Sequence, residues 1–119
     1  MDSLVEKKKK LFQDKVVVIT GASSGLGCRI AEEFIKENAN LSICARRLYK
    51  LKKIYKSKAK VFFQRVDVCD EKAIKKFIKK TIKIFGKIDI LINNAMIVDG
   101  SGNPGYFADV GIMNKLTEN

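Results

Sequence analysis

"VVVITGASSGLG", Val16 to Gly27, decides the fold. Val16 to Thr20 is a continuous run of β-branched residues, as expected for a strand buried on both faces. Gly21, Gly25 and Gly27 then span the turn from that strand into a helix. Glycine there tolerates positive φ and leaves no Cβ between backbone and ligand. The start of the helix offers unpaired N–H groups and roughly half a positive charge. Together these suit a phosphate or pyrophosphate, and Ser23 and Ser24 add hydroxyl donors. A plain strand–helix turn would also use glycines. Placement after a buried strand and before an amphipathic helix favours the binding loop.

The same alternation continues outward from this stretch. From Gly25 to about Asn38, the residues Leu26, Ile30, Phe34 and Ile35 fall on one helical stripe, and Glu32, Glu33, Lys36 and Glu37 face away. Leu41 to Ala45 is a second apolar run, Tyr49 to about Tyr55 a lysine-rich helix, and Val61 to Val66 a third strand. Asp70 is placed to cap a third helix. In it Ile74, Phe77, Ile78, Ile82 and Phe85 recur at three- and four-residue steps, and Gly86 is placed to stop it. Ile88 to Ile92 is a fourth strand. The order β-α-β-α-β-α-β with short connections predicts an α/β fold, a Rossmann-like doubly wound parallel sheet with right-handed crossovers. After Asn93 the pattern stops, and Gly100, Gly102, Pro104, Gly105 and Gly111 mark an irregular segment. The expected organisation is a basic leader over 1–11, a Rossmann half-domain over 12–96 and an irregular glycine-rich tail over 97–119.

Composition removes several function classes. The 119 residues suit one domain, and no apolar run reaches the ~20 residues of a membrane span. No signal-peptide core follows Lys7 to Lys10, so a soluble, cytoplasmic protein is expected. The net charge of +11 invites a nucleic acid or an anionic membrane as partner. Yet lysine outnumbers arginine 20 to 4, whereas groove readers favour the planar arginine fork. The lysines are also dispersed: Lys72, Lys75, Lys76, Lys79, Lys80 and Lys83 read as the wet face of one helix. Neither nucleic acid nor membrane is the expected partner. Cys28, Cys44 and Cys69 lack metal-type spacing and read as reduced thiols, and the absence of histidine excludes a histidine base or histidine metal ligands.

Three motifs resemble the short-chain dehydrogenase/reductase family over about residues 12 to 96. "TGASSGLG" matches its TGxxxGxG cofactor loop position for position. "DV" at Asp67 and Val68 is similar to the pair that meets the adenine in the family. "NNA" at Asn93, Asn94 and Ala95 matches the first three residues of NNAG. "KLTEN" at Lys115 to Asn119 is similar to the opening of the family's fourth helix. The resemblance implies strand order 3-2-1-4, with the first two helices on one face of the sheet and the third on the other. It also implies hydride transfer between a nicotinamide and a carbonyl or alcohol. The implied cofactor contacts are Gly21, Ser23, Ser24, Gly25, Leu26, Gly27, Arg46, Arg47, Asp67, Val68, Asn93 and Ala95.

The second strand ends "CARR". At this place in dinucleotide folds an acidic residue would accept from the ribose 2′-hydroxyl and favour NAD, whereas an arginine would pair with a 2′-phosphate. Ala45, Arg46 and Arg47 contain no carboxylate, so Arg46 is the expected phosphate contact and NADP(H) the expected cofactor. A surface arginine pair without that role is the alternative.

The sequence departs from the family pattern in two respects and offers one coincidental match. The family's catalytic serine, tyrosine, lysine and asparagine would fall beyond residue 119, so the expectation is a cut or naturally shortened cofactor-binding half. Such a half would have no catalytic residue and no metal of its own, and would meet a small-molecule substrate only with the missing half supplied. It would be prone to self-association through an uncovered Ile88–Ile92 edge. Alternatives are a non-catalytic dinucleotide-binding module, a non-functional truncated product and, more remotely, a basic nucleic-acid binder. Tyr49 and Lys53 reproduce the tyrosine–x–x–x–lysine spacing, but 20 lysines make such a coincidence common, and Tyr49 follows the second strand on the adenosine side. Met96 stands where NNAG has glycine.

Overall fold

The computed structural model describes residues 10–23, 25–94, 96–98 and 104–106. Its strands are β1 (Val16–Thr20), β2 (Asn40–Ala45), β3 (Val61–Arg65) and β4 (Ile90–Asn93). The helices are α1 (Gly25–Lys36), α2 (Leu48–Tyr55) and α3 (Glu71–Phe85). The four strands form one parallel sheet in the order β3-β2-β1-β4. This is the order implied by the family resemblance.

Side-chain alternation divides the core into two layers. Val17 and Ile19 of β1, Leu41 and Ile43 of β2, and Val61 and Phe63 of β3 face α1 and α2, where Ala31, Phe34, Leu51 and Tyr55 meet them. Val18, Cys44, Phe62 and Leu91 face the other way, onto Ile74, Phe77 and Ile78 of α3. The sheet therefore carries two helices on one face and one on the other, and the face changes between β1 and β4. In open α/β sheets that reversal opens a crevice at the carboxyl ends of the strands.

The helix ends follow from local chemistry. The Asp70 carboxylate accepts from the N–H groups of Lys72 and Ala73, and Gly86 closes α3 in the left-handed region at φ 84°. A buried pair of hydroxyls seats α3 on the sheet: Ser42 lies 2.5 Å from Thr81, whose hydroxyl donates to the Phe77 carbonyl. The six lysines of α3 named above are all exposed.

Four expectations shift. α1 stops at Lys36 because Asn38 turns to φ 61° and its N–H returns to the Ile35 carbonyl. β3 ends at Arg65, although Val66 still donates to the Ala45 carbonyl at 3.0 Å. β4 begins at Ile90, because the Asp89 carboxylate is engaged by the Val16 N–H at 2.8 Å and by Lys87 at 3.1 Å. The stretch read as irregular contains two short strands, β5 (Met96–Val98) and β6 (Pro104–Tyr106), paired antiparallel. The β propensity of Ile97 and Val98 prevails there, and a proline is tolerated because both strands of such a pair are edges. Among the described residues no helix is long and apolar enough to cross a membrane, and no group of His, Cys, Asp and Glu could hold a metal.

Candidate functional site

Because all four strands are parallel, their C-terminal ends share one edge of the sheet. That edge carries Gly21–Ser23 and Gly25–Gly27 after β1, Arg46 and Arg47 after β2, Asp67 and Val68 after β3, and Asn93 at the end of β4. Ser24 and Ala95 lie outside the described residues.

The glycine loop is held tightly from below. Gly21 and Gly25 adopt φ 71° and 57°, a region costly for residues with a Cβ. Gly21 N–H extends the ladder to the Cys44 carbonyl at 2.8 Å. Gly27 is buried for a different reason. A Cβ there would strike the Gly21 carbonyl and the Asn94 amide. The closeness of those backbones brings the first turn of α1 down onto the end of β1.

Thr20 and the two asparagines fix the β1–β4 junction. The fully buried Thr20 hydroxyl donates to Asn93 Oδ1 at 3.1 Å and accepts the Asn94 N–H at 3.0 Å. Asn94 Nδ2 donates to the Gly21 carbonyl at 3.1 Å. On the opposite side the Tyr55 hydroxyl, carried on α2, donates to the Ala22 carbonyl at 2.6 Å. Burial holds that phenol above its ordinary range, and a hydrogen bond with Cys28 adds to the effect. It therefore remains a donor at neutral pH.

The rest of the edge is open and charged. Arg46 and Arg47 are exposed at the end of β2. The Asp67 carboxylate accepts the Cys69 N–H at 2.9 Å, and that bond lowers its pKa, helped by the charges of Arg46 and Arg65. Val68 packs its side chain into the α3 layer beside Val66 and Ile74, so only its backbone is available to a ligand. Leu26 departs from the sequence reading: it is 66% exposed instead of packed on the α1 stripe, because the stripe meets the sheet only from Ile30 onward. Tyr49 is 67% exposed on α2, one turn beyond the end of β2, outside the β1–β4 junction.

Asn94 and Tyr55 hold the Gly21 and Ala22 carbonyls of the loop, contacts that the sequence reading did not assign. Asn94 stood inside a quoted motif without a role. Tyr55 carried a signal in its four-residue spacing from Leu51, the mark of a buried helical face, but its hydrogen-bond partner lies 33 residues away in the chain.

The short chain dehydrogenase family model matches residues 15–114, and the chain belongs to that family. It is 36% identical over 103 residues to 11-beta-hydroxysteroid dehydrogenase B of Sesamum indicum, covering 82% of this chain and 27% of that protein. It superposes on 3-ketoacyl-(acyl-carrier-protein) reductase of Brucella melitensis, solved with NADH, with a TM-score of 0.70 at 28% identity, over 76% of this chain and 41% of the other. A short chain dehydrogenase/reductase of Burkholderia phymatum, solved with NAD, gives 0.65 at 29% identity, over 72% and 32%. The chain thus spans about a quarter of the length of the curated relatives it matches.

Proposed function

We propose that this chain is the NADP(H)-binding portion of a short-chain dehydrogenase/reductase. The observation that carries the reading is the convergence, at the C-terminal edge of the sheet, of a braced glycine loop, a carboxylate-free Arg46-Arg47 pair and the Asn93-Asn94 pair. The residues present fit a dinucleotide. Gly25 and Leu26 are exposed at the start of α1, so the loop is open to a ligand from outside. Gly21, Ser23, Ser24, Gly25, Leu26 and Gly27 would hold the pyrophosphate and its neighbouring ribose. Asp67 and the backbone of Val68 would bound the adenine, and Asn93 and Ala95 the nicotinamide side.

In this reading Arg46, supported by Arg47, takes the ribose 2′-phosphate. The two solved relatives named above hold NAD and NADH. An acidic residue at the end of the second strand is what favours that choice, and here it is absent. The nicotinamide, when bound, supplies or accepts a hydride at a carbonyl or alcohol. This chain's own residues bind and orient the cofactor. No proton-transfer role is assigned to Tyr106, the tyrosine after β4, because it is followed four residues later by Val110 and not by lysine.

The experiment is a fluorescence titration with NADPH and NADH. One arginine–phosphate contact is worth about 1.5–3 kcal/mol, so NADPH should bind at least tenfold more tightly. Arg46→Asp should erase or reverse that preference. Equal affinities before and after the substitution refute the assignment.

A further inference from the structure

The Tyr55 hydroxyl is 2.6 Å from the Ala22 carbonyl, and both residues are buried. In a trans peptide the C=O of one residue and the N–H of the next lie in one plane and point in opposite directions. With the Ala22 carbonyl turned onto the buried Tyr55 hydroxyl, the Ser23 N–H points the opposite way, away from that packed layer; Gly25 and Leu26, two and three residues further on, are exposed. Asn94 does the same for the preceding unit. Its amide holds the Gly21 carbonyl, which directs the Ala22 N–H the opposite way. Two successive peptides in the glycine loop are therefore oriented by side chains from outside it, one on α2 and one after β4.

We infer that Tyr55 is a positioning residue for the dinucleotide site, a latch that keeps the Ser23 N–H facing an anionic oxygen of the cofactor. The inference rests on the proposed function above. Glycines make the loop permissive, and a permissive loop must be ordered when the ligand binds, which weakens affinity. Tyr55 carries that ordering in the free protein. A tyrosine phenol is protonated at neutral pH in any case, and burial raises its pKa further, so the latch persists across the neutral range. The part of the ligand it serves is common to both nicotinamide dinucleotides, so it sets affinity and not the choice between them.

The test uses the full chain and its Tyr55→Phe variant, which keeps the ring and removes only the hydroxyl. Ile78→Val, buried in the α3 layer on the other face of the sheet, supplies a control with a modest stability loss. NADPH and NADH are titrated against each at a temperature where all are folded. The amide resonance and hydrogen exchange of Ser23 are followed without ligand. Tyr55→Phe should raise both dissociation constants about fivefold to tenfold, leave their ratio unchanged, and shift the Ser23 amide and speed its exchange. Ile78→Val should do none of these. Affinities within twofold of wild type in Tyr55→Phe, or an equal loss in Ile78→Val, overturn this inference while leaving the proposed function intact. A wild-type chain that binds neither dinucleotide overturns both.

Discussion

Gly27→Ala should be the most damaging single-methyl change in the loop. A Cβ at this position meets the Gly21 carbonyl and the Asn94 amide inside van der Waals contact. Neither can retreat cheaply. Gly21 is tied by its N–H to Cys44, and its carbonyl is the acceptor for the same Asn94 amide that would be displaced. Inserting a methyl into a closed contact of this kind costs about 1–3 kcal/mol. The backbone acceptor places the clash toward the upper end, and alanine's better helix propensity returns less than about 1 kcal/mol. The net loss of about 1–2 kcal/mol corresponds to a fall in Tm of roughly 5–15 °C for a domain of this size. Gly86→Ala is the informative comparison. It has φ 84° and nothing within 4 Å of the added Cβ, so its cost is backbone strain alone, about 1 kcal/mol. Thermal unfolding followed by circular dichroism measures stability, and titration with NADPH measures the loop. Gly27→Ala should lose both, whereas Gly86→Ala should lose only stability. A Gly27→Ala protein with unchanged Tm and unchanged affinity refutes the close approach between α1 and the β1–β4 junction.

Other consequences concern the scaffold. Asp70→Ala removes the acceptor for two amides at the start of α3 and should cost about 1 kcal/mol, read as a lower midpoint in urea. Asp89 has its pKa lowered first by the Val16 N–H and then by Lys87, so its contribution is present above the unfolded value of 3.8 and is lost as pH falls through the lower folded value. Asp89→Ala should therefore cost about 1 kcal/mol at pH 7, with the gap from wild type closing below pH 3.8 in acid titrations of stability. The thiols should separate by burial. Cys69 is exposed, whereas the buried Cys44 thiol is pushed up to about 12, so iodoacetamide at pH 8 should label Cys69 first and leave Cys44 unmodified in the folded protein, as read by peptide mass mapping.

Much of the architecture was legible in the sequence because burial on two faces leaves continuous β-branched runs, and amphipathic helices leave three- and four-residue steps. Val16–Thr20, the α3 stripe from Ile74 to Ile82, the Asp70 cap and the Gly86 stop all follow from such local rules. Leu26 was misplaced because periodicity does not tell where along its length a helix begins to touch the sheet. The β5–β6 pair was missed because glycine and proline content outweighed the short Ile97-Val98 run. The gathering of the glycine loop, Arg46-Arg47 and Asn93 at one edge of the sheet was legible in outline, since each follows a strand that local pattern marks. The braces were not. Tyr55 and Asn94 act through backbone carbonyls 33 and 73 residues distant in the chain, and no local pattern records such a partner.

The central claim is that this chain binds a nicotinamide dinucleotide at the C-terminal edge of its sheet. Mapping amide resonances during titration with NADPH tests it most directly. The account predicts saturable shifts at Gly21–Gly27, Arg46–Leu48, Asp67–Val68 and Asn93–Asn94, with the lysine face of α3 unmoved. Shifts confined to that lysine face and abolished by moderate salt, or no saturable shifts at all, would contradict it.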